Sequence, residues 1–439
     1  MTSMFRSLAE PNYRKWFGGA LVSNTGTWMQ RTAQDWIVLT QLTDEDATAL
    51  GITMALQLGP QLVLFPVAGT IADRFQRRRL LLITQILMGT MGLVLFVLTV
   101  TGAIQLWHVY LLALALGIVA TVDNPARQTF VSELVGDSLV ANAVSLNSAS
   151  FNTARMLGPA VAGVLTAAIG ASTVFLLSGL AFAGTVGVLL SLDRSRLQSP
   201  DARTRRAPGR GIMGGFRYLR TRPDIIVVLA VIFVVSTFGI KFNIFTATMA
   251  RVEFGRDASA FGLLNSILAV GSLTGALLAA RRDRPRLRTV FWAAGAFGAA
   301  CAAASVMPNY WTFALTLTTL GLSSITMLTA ANAYVQTTTP SGVRGRIMSI
   351  YAAVVLGGAP LGAPFAGWIA DQFGPRAALG VGAAAGAVGI LIGVVWMVSA
   401  KHMRVHYVRR SRRFIRLSYD GRKSKGRGSA SPVRPEPEG

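Results

Sequence analysis

The sequence predicts an all-α integral membrane protein, with twelve transmembrane helices arranged as two pseudo-symmetric six-helix bundles. Three observations carry this. The 439 residues are 52% hydrophobic and only 14% charged, whereas charged residues make up about a quarter of an ordinary soluble domain. Twelve runs are long and apolar enough for a helix crossing about 30 Å of hydrocarbon, which needs roughly 20 such residues. The first six runs also match the second six at nearly constant offsets.

The runs begin near Trp16, Thr48, Leu80, Ile104, Ala141, Ala171, Ile225, Ser259, Thr289, Trp311, Ile347 and Ala377. Most are free of charge through their interior, but the first carries Arg31 with Asp35, the fifth Arg155 and the seventh Lys241. An even number of spans places both ends of the chain on one side. Of the Lys and Arg residues, 36 fall in the N-terminus, the alternate loops and the tail on that side, and the opposite loops hold only Arg251, Arg256 and Arg376. The excess of positive charge marks the cytoplasmic side, so both termini are expected in the cytoplasm of a multi-pass protein of the bacterial inner or plasma membrane. The opening MTSMFRSLAEPNYRKW is polar and basic and lacks a small-residue cleavage site, so no removable signal peptide is expected. A formal charge of +23 would suggest nucleic acid in a soluble chain. Here it is sorted to one side of a membrane, and no nucleic-acid partner is expected. Cys301, the single cysteine, lies among Ala and Gly in an apolar run and reads as a packing residue.

The repeat divides the chain. At an offset of 213, Val22, Ser23 and Gly26 meet Val235, Ser236 and Gly239; at 211, Ala49 and Gly51 meet Ala260 and Gly262. At 204, Val131, Leu157, Gly158, Gly163 and Gly170 meet Val335, Leu361, Gly362, Gly367 and Gly374. The expected units are an N-terminal bundle over 1–192, a linker over 193–223, a C-terminal bundle over 224–400 and a largely disordered basic tail over 401–439. In the linker, Ile212, Phe216 and Leu219 share one helical face while Arg210, Arg217 and Arg220 lie elsewhere, as in a helix lying among lipid headgroups. Parallel repeats of six spans occur in one large class of transporters, with the substrate path between the halves near the midplane.

The loop after the second run reads Gly69-Thr70-Ile71-Ala72-Asp73-Arg74-Phe75-Gln76-Arg77-Arg78-Arg79. Gly69 allows close helix contact, Asp73 ends a helix, and Arg74, Arg77 and Arg78 can pair with nearby carboxylates. The string is either a latch that opens and closes with conformation or a plain positive-inside loop. It resembles the G-x-x-x-D-R-x-G-R-R-x signature of the major facilitator superfamily, with Gln76 where a Gly is usual. Arg282-Asp283-Arg284-Pro285-Arg286 is similar to a degraded second copy. In the fifth run, Ala154-Arg155-Met156-Leu157-Gly158-Pro159-Ala160-Val161-Ala162-Gly163 resembles the antiporter motif G-x-x-x-G-P-x-x-G-G, with Gly158, Pro159 and Gly163 retained and Ala154 and Ala162 replacing two glycines. Small residues at this spacing permit tight helix packing. With Asp123-Asn124-Pro125-Ala126-Arg127-Gln128, the layout from about residue 5 to 400 is similar to the drug:proton antiporter branch that includes the enterobactin exporter and related multidrug exporters. The resemblance implies the major facilitator fold and a secondary transporter that exports a small amphipathic or hydrophobic molecule in exchange for protons.

An ionisable group inside a bilayer costs at least a few kcal/mol, so it faces a cavity or a partner and is a functional candidate. Arg31 and Asp35 are four apart, hence on one helical face, and Gln30 and Gln34 flank them. Asp35 either takes and releases a coupling proton beside Arg31, or forms with it a permanently ionised pair that holds the span. Arg155 and Lys241 are expected to line the transport cavity, with Gln34, Asn24, Asn147, Asn152 and Asn265 as uncharged candidates for its wall. Asp123, Arg127 and Glu133 are expected to belong to a cytoplasmic gate with Gly69, Asp73 and the loop arginines. No His/Cys/acid cluster has metal-ligand spacing and no glycine-rich phosphate loop precedes a Lys, so no metal, cofactor, ATP-driven cycle or enzymatic activity is expected. The tail from Lys401 holds twelve Lys and Arg and suits contact with anionic headgroups. The expected partners are therefore a small-molecule substrate, protons and lipid, with the chain a monomer. Proton-coupled uptake of a nutrient, or a membrane sensor that transports nothing, are the alternatives.

Overall fold

The computed structural model describes residues 3–197, 213–280, 286–401, 403–407 and 415–419, leaving aside the side chains at 3–4, 65–70, 72–73, 137, 194, 213, 280, 341, 400–401, 403–407 and 415–419. Six long helices form the first half: α1 (Pro11–Thr40), α2 (Ala47–Arg74), α3 (Arg77–Val100), α4 (Leu106–Leu134), α5 (Val140–Ile169) and α6 (Ala171–Leu190). A short helix α7 (Met213–Leu219) follows. The second half comprises α8 (Pro223–Phe238), α9 (Phe242–Thr248), α10 (Ala258–Ala280), α11 (Leu287–Ser305), α12 (Tyr310–Thr338), α13 (Ser341–Phe373) and α14 (Pro375–Lys401). Several helices begin before their apolar runs, α1 at Pro11 and α13 at Ser341, because a helix does not stop at the hydrocarbon edge. Proline in the first turn suits α1 and α8, since its missing N–H has no partner there in any case.

Of the twelve spans, ten are long and apolar enough to cross a membrane among the described residues. The two others, α1 and α5, are each 30 residues long but are diluted by Gln30, Arg31, Gln34 and Asp35 in one and by Asn147, Asn152 and Arg155 in the other. They pack against one another, with Trp28 edge-on to Phe151 at 6.1 Å between centroids.

The seventh span departs from a simple helix. It is apolar on average from Pro223 to Glu253, yet it breaks at Gly239–Lys241 between α8 and α9 and ends in a wide π-type turn at Met249–Glu253. Lys241 has non-helical φ −118° and ψ 47°. Its Nζ donates to the Ser236 carbonyl at 2.9 Å, satisfying a group that α8 leaves free at its C-terminus.

Within the first half, α1 packs on α5 and α6, α3 on α4 and α6, and α2 on α4. Tyr13, Trp16, Phe130 and Leu134 are buried in one core cluster, and the Tyr13 hydroxyl donates to the Ala143 carbonyl at 2.8 Å. In the second half α12 packs on α10 and α11, and α8 on α13. The two halves meet through α2 with α13 and α5 with α10. Two matched pairs of glycines, Gly51 with Gly262 and Gly163 with Gly367, lie at these seams. Gly163 of α5 faces Gly262 of α10, and Gly367 of α13 faces Ala47 of α2. Gly170 and Gly374, also matched, both take φ +87° at the start of the following helix, a conformation open to glycine and costly for other residues.

The expected headgroup helix corresponds to α7, which packs on α13 with Leu219 buried and Phe216 exposed. Ile212 and Arg210 lie outside the described residues. Residues 391–439 form a separate compact unit. Within the stretch read as a disordered tail, Met403–Tyr407 and Ile415–Tyr419 pair as two antiparallel strands.

A Cβ at Gly163 would stand 2.6 Å from the Gly262 Cα. Gly163→Val is therefore expected to lower the melting temperature of the detergent-solubilised protein, at a cost of about 1–3 kcal/mol for overpacking. Gly184→Ala, where a Cβ meets nothing within 4 Å, should leave it unchanged or slightly raised; equal melting of both variants would contradict the seam.

Candidate functional site

The polar groups within the spans fall into three places. The first is where α1 meets α9. Asp35 is 1% exposed; its Oδ2 accepts the Asn243 side-chain N–H at 2.8 Å, and its Oδ1 is buried without a partner. That bond joins the first half to the second. Among the described residues no ion pair closes between Arg31 and Asp35. The Arg31 guanidinium instead lies over the Trp28 ring, 5.6 Å from its centroid, at cation–π distance, and its Nε is buried and unpartnered. Gln34 donates to the Val109 carbonyl at 3.4 Å, and its Oε1 has no partner. Gln30 accepts from the Ser178 hydroxyl at 3.1 Å. The polar residues of α1 thus fan out toward α9, α4 and α6 and do not share one opening. Trp36 stacks on Phe261 at 5.6 Å, adding an aromatic contact between the halves.

The second place is the exposed side of α5. Ser148, Asn152 and Arg155, spaced four and three apart, are exposed along one helical face, and no hydrogen bond or ion pair to Arg155 occurs among the described residues. A bare guanidinium against hydrocarbon is costly, so this strip is the candidate wall of a wet path. Lys241 is placed differently. It is 1% exposed and turned into the break in the seventh span. Of the uncharged candidates, Asn24 is buried with its amide nitrogen unpartnered, and Asn265 donates to the Phe261 carbonyl at 3.1 Å and accepts from Thr246 at 3.3 Å.

The third place is the end of the first bundle that carries the basic loops, here called the basic face. Asp123 is the centre of a satisfied network. It accepts from Thr84 Oγ1 at 2.6 Å, Gln85 Nε2 at 2.8 Å and Arg127 Nε at 3.0 Å. Arg127 also reaches Ser23 at 3.3 Å and lies over Trp16 at 5.4 Å. Arg77 pairs with Glu133, and Arg78 donates to the carbonyls of Leu189 at 2.8 Å and Leu190 at 3.3 Å, at the end of α6. These contacts tie α1, α3, α4 and α6 together within one half. Arg74 is exposed at the end of α2, and Gly69 and Asp73 lie outside the described side chains. In the antiporter-like motif, a Cβ at Gly158 would stand 2.6 Å from the Trp28 Cβ, and Pro159 removes a backbone donor within α5. Gly163 serves the seam with α10.

Three groups of residues escape a reading by pattern. On the second half, Arg222 grips Asp224 through two bonds of 2.9 and 2.8 Å and the Thr338 carbonyl at 2.9 Å; the carboxylate holds the guanidinium above its ordinary pKa. At the opposite, far face, Glu45 pairs with Arg251 at 2.8 Å, and Asp371 bonds to the start of α2. Asn243 had only its neighbour Lys241 to mark it. The contacts between halves thus include several at the far-face ends of α1, α2 and α13, while Asn124, Gln128, Ser145 and Ser148 of α4 and α5 stay exposed.

The buried pair makes a prediction. Asp123→Ala leaves the Arg127 cation without its carboxylate and is expected to cost about 3–5 kcal/mol in unfolding measurements. The double variant Asp123→Ala with Arg127→Met should cost less than the sum of the two single changes. Strict additivity would show that the pair is not coupled.

Comparison with known proteins adds independent information. A family model described as transmembrane secretion effector, within the major facilitator class, matches residues 2–412. The chain is 27% identical over 362 residues to the staphyloferrin A transporter of Staphylococcus aureus, covering 82% of this chain and 89% of that protein. It is 26% identical over 371 residues to the enterobactin exporter EntS of Escherichia coli O1:K1, covering 83% and 86%. Among solved structures it is similar to the nucleoside transporter NupG, with a TM-score of 0.69 at 10% identity over 88% of this chain and 99% of that one. A bacterial homologue of the iron transporter ferroportin gives 0.64 at 16% identity, over 88% and 98%.

Proposed function

We propose that this chain, which belongs to the transmembrane secretion effector family of the major facilitator superfamily and is a transporter and not an enzyme, exports a small secreted metabolite in exchange for protons. The substrate class is amphipathic, of the siderophore type named for the two relatives. The exchange proceeds by alternating access of the two halves, with the basic face toward the cytoplasm of a bacterial cell. The tail rests on anionic lipid, since juxtamembrane basic clusters are attracted to such headgroups.

The observation that carries this reading is Asp35. A carboxylate buried in a span is costly and functional by default. One of its oxygens is bonded across the halves to Asn243 at 2.8 Å and the other is left without a partner. Protonation therefore changes a contact that belongs to one arrangement of the halves, which is how a proton can bias a two-state element. Arg31, held over Trp28, supplies a nearby positive charge without closing a pair. On α5, the Arg155 strip offers a cation and two polar side chains to a passing substrate. Asp123, Arg127, Arg77 and Glu133 brace the first bundle at the basic face, where Gly69, Asp73, Arg74 and Arg78 end and begin the neighbouring helices.

The test is transport in proteoliposomes driven by a pH gradient, across a panel of dyes, antibiotics and siderophore-like compounds. Asp35→Asn should abolish gradient-driven flux, at least tenfold if one ionisation carries the coupling, a difference of about 1.4 kcal/mol, while substrate exchange without a gradient persists. Full gradient-driven flux in Asp35→Asn would remove the proton role. Cells that accumulate the compound more as expression rises would reverse the direction.

A further inference from the structure

At the far face, the first turn of α2 takes its hydrogen-bond acceptors from two places. Asp46, just before the helix, accepts the Ala49 N–H at 2.8 Å. Asp371, in the last turn of α13, accepts the Ala47 N–H at 2.7 Å and the Thr48 N–H at 2.8 Å, and the Thr48 hydroxyl donates to it as well. The first N–H groups of a helix have no intrahelical partner and carry partial positive charge, so this carboxylate from the second half completes a helix of the first. Beside it, Glu45 pairs with Arg251 at 2.8 Å, again from one half to the other. Glu45 has φ +61°, alone among the described non-glycine residues in the left-handed region. A side chain persists there when its surroundings over-determine it, and the ion pair with Arg251 is one of the contacts made there.

The sequence repeats this device. Pro66–Phe75 reads PVAGTIADRF and Pro364–Phe373 reads PFAGWIADQF, identical at seven of ten positions. The first string closes α2 at the basic face and the second closes α13 at the far face. The two helices run antiparallel against each other, with Gly51 beside Ala363 and Gly357 beside Leu62. One string therefore ends each helix of the pair, one at each face.

We propose that Asp371 and Glu45 are positioning residues that lock the far face, holding the halves together there in the state seen in this structure and releasing when the basic face closes. This rests on the alternating-access reading above. In that cycle, Ala47 and Thr48 exchange Asp371 for water when the far face opens, so the lock stabilises one state and leaves the other unaffected.

The experiment uses the full chain in lipid nanodiscs, with Cys301→Ala and pairs of spin labels. One pair, at Gln41 and Val306, reports on the far face; the other, at Ser132 and Gly345, reports on the basic face. Asp371→Ala should raise the ratio of long to short far-face distances roughly fivefold, the scale expected for loss of a helix cap, with the basic-face pair moving closer in the same proportion. Glu45→Gly, which removes the carboxylate and tolerates the backbone conformation, should act in the same direction. Should Asp371→Ala fail to fold, Glu45→Gly and the milder Asp371→Asn carry the test. Unchanged far-face distances in the folded variants would overturn the lock. Far-face lengthening without the matching basic-face change would also overturn it, because that pattern is local fraying of α2. The distances are read without substrate or gradient, so absence of proton-driven transport by the unmutated chain with the shift intact would sink the coupling and leave the lock standing.

Discussion

Close backbone contact along two helix pairs is the constraint on which this structure depends. In lipid there is little hydrophobic drive between helices, so association rests on packing and on hydrogen bonds. At α2 with α13 and α5 with α10, glycines remove the side chains that would hold the halves apart, and the contact is made by backbone and Cα atoms. Side chains enter the α2–α13 seam as well, Leu62 against Gly357 and Pro360 against Gly59, so each glycine there admits either a backbone or a side chain of the other half.

The polar groups within the spans divide according to whether they cross that seam. Asp123 and Arg127 lie inside one half with several bonds each, and a satisfied buried network of this kind rigidifies its surroundings. Asp35, Arg31 and Gln34 each retain an unpartnered polar atom. Asp35 alone of these three is bonded across the halves. Stability and mobility are thus assigned to different side chains of the same bundle.

Much of the fold was legible because the bilayer imposes a length and an apolar composition that a sequence displays directly. The repeat was legible as well, and the structure gives it a reason: Gly163 and Gly367, matched at an offset of 204, sit at equivalent seams. The break at Gly239–Lys241 was hidden because Pro223–Glu253 is apolar on average, and composition does not distinguish one helix from two. Nor does spacing reveal that Asp35 meets Asn243, since that pair arises from the approach of two helices 208 residues apart. Arg78 shows the same limit from the other side. It belongs to a run of arginines that reads as one group, yet its guanidinium serves the carbonyls at the end of α6. The far-face carboxylates carried a signal in the near-duplicate strings around Asp73 and Asp371, which an offset tuned to parallel repeats passes over.

The modest apolarity of α1 and α5 has a consequence for biogenesis. Charged and polar residues near the centre of a span oppose its entry into lipid by a few kcal/mol each, so neither helix is well suited to partition alone. α1 is made first, yet the helix that packs against it at Trp28 and Phe151 emerges about 120 residues later, several seconds of synthesis at ordinary rates. During that interval the insertion machinery, and not the finished bundle, must shelter Arg31 and Asp35. Asp35 waits longer still, since its partner Asn243 lies 208 residues further along the chain, so the polar residues of α1 tie its assembly to spans that emerge long after it.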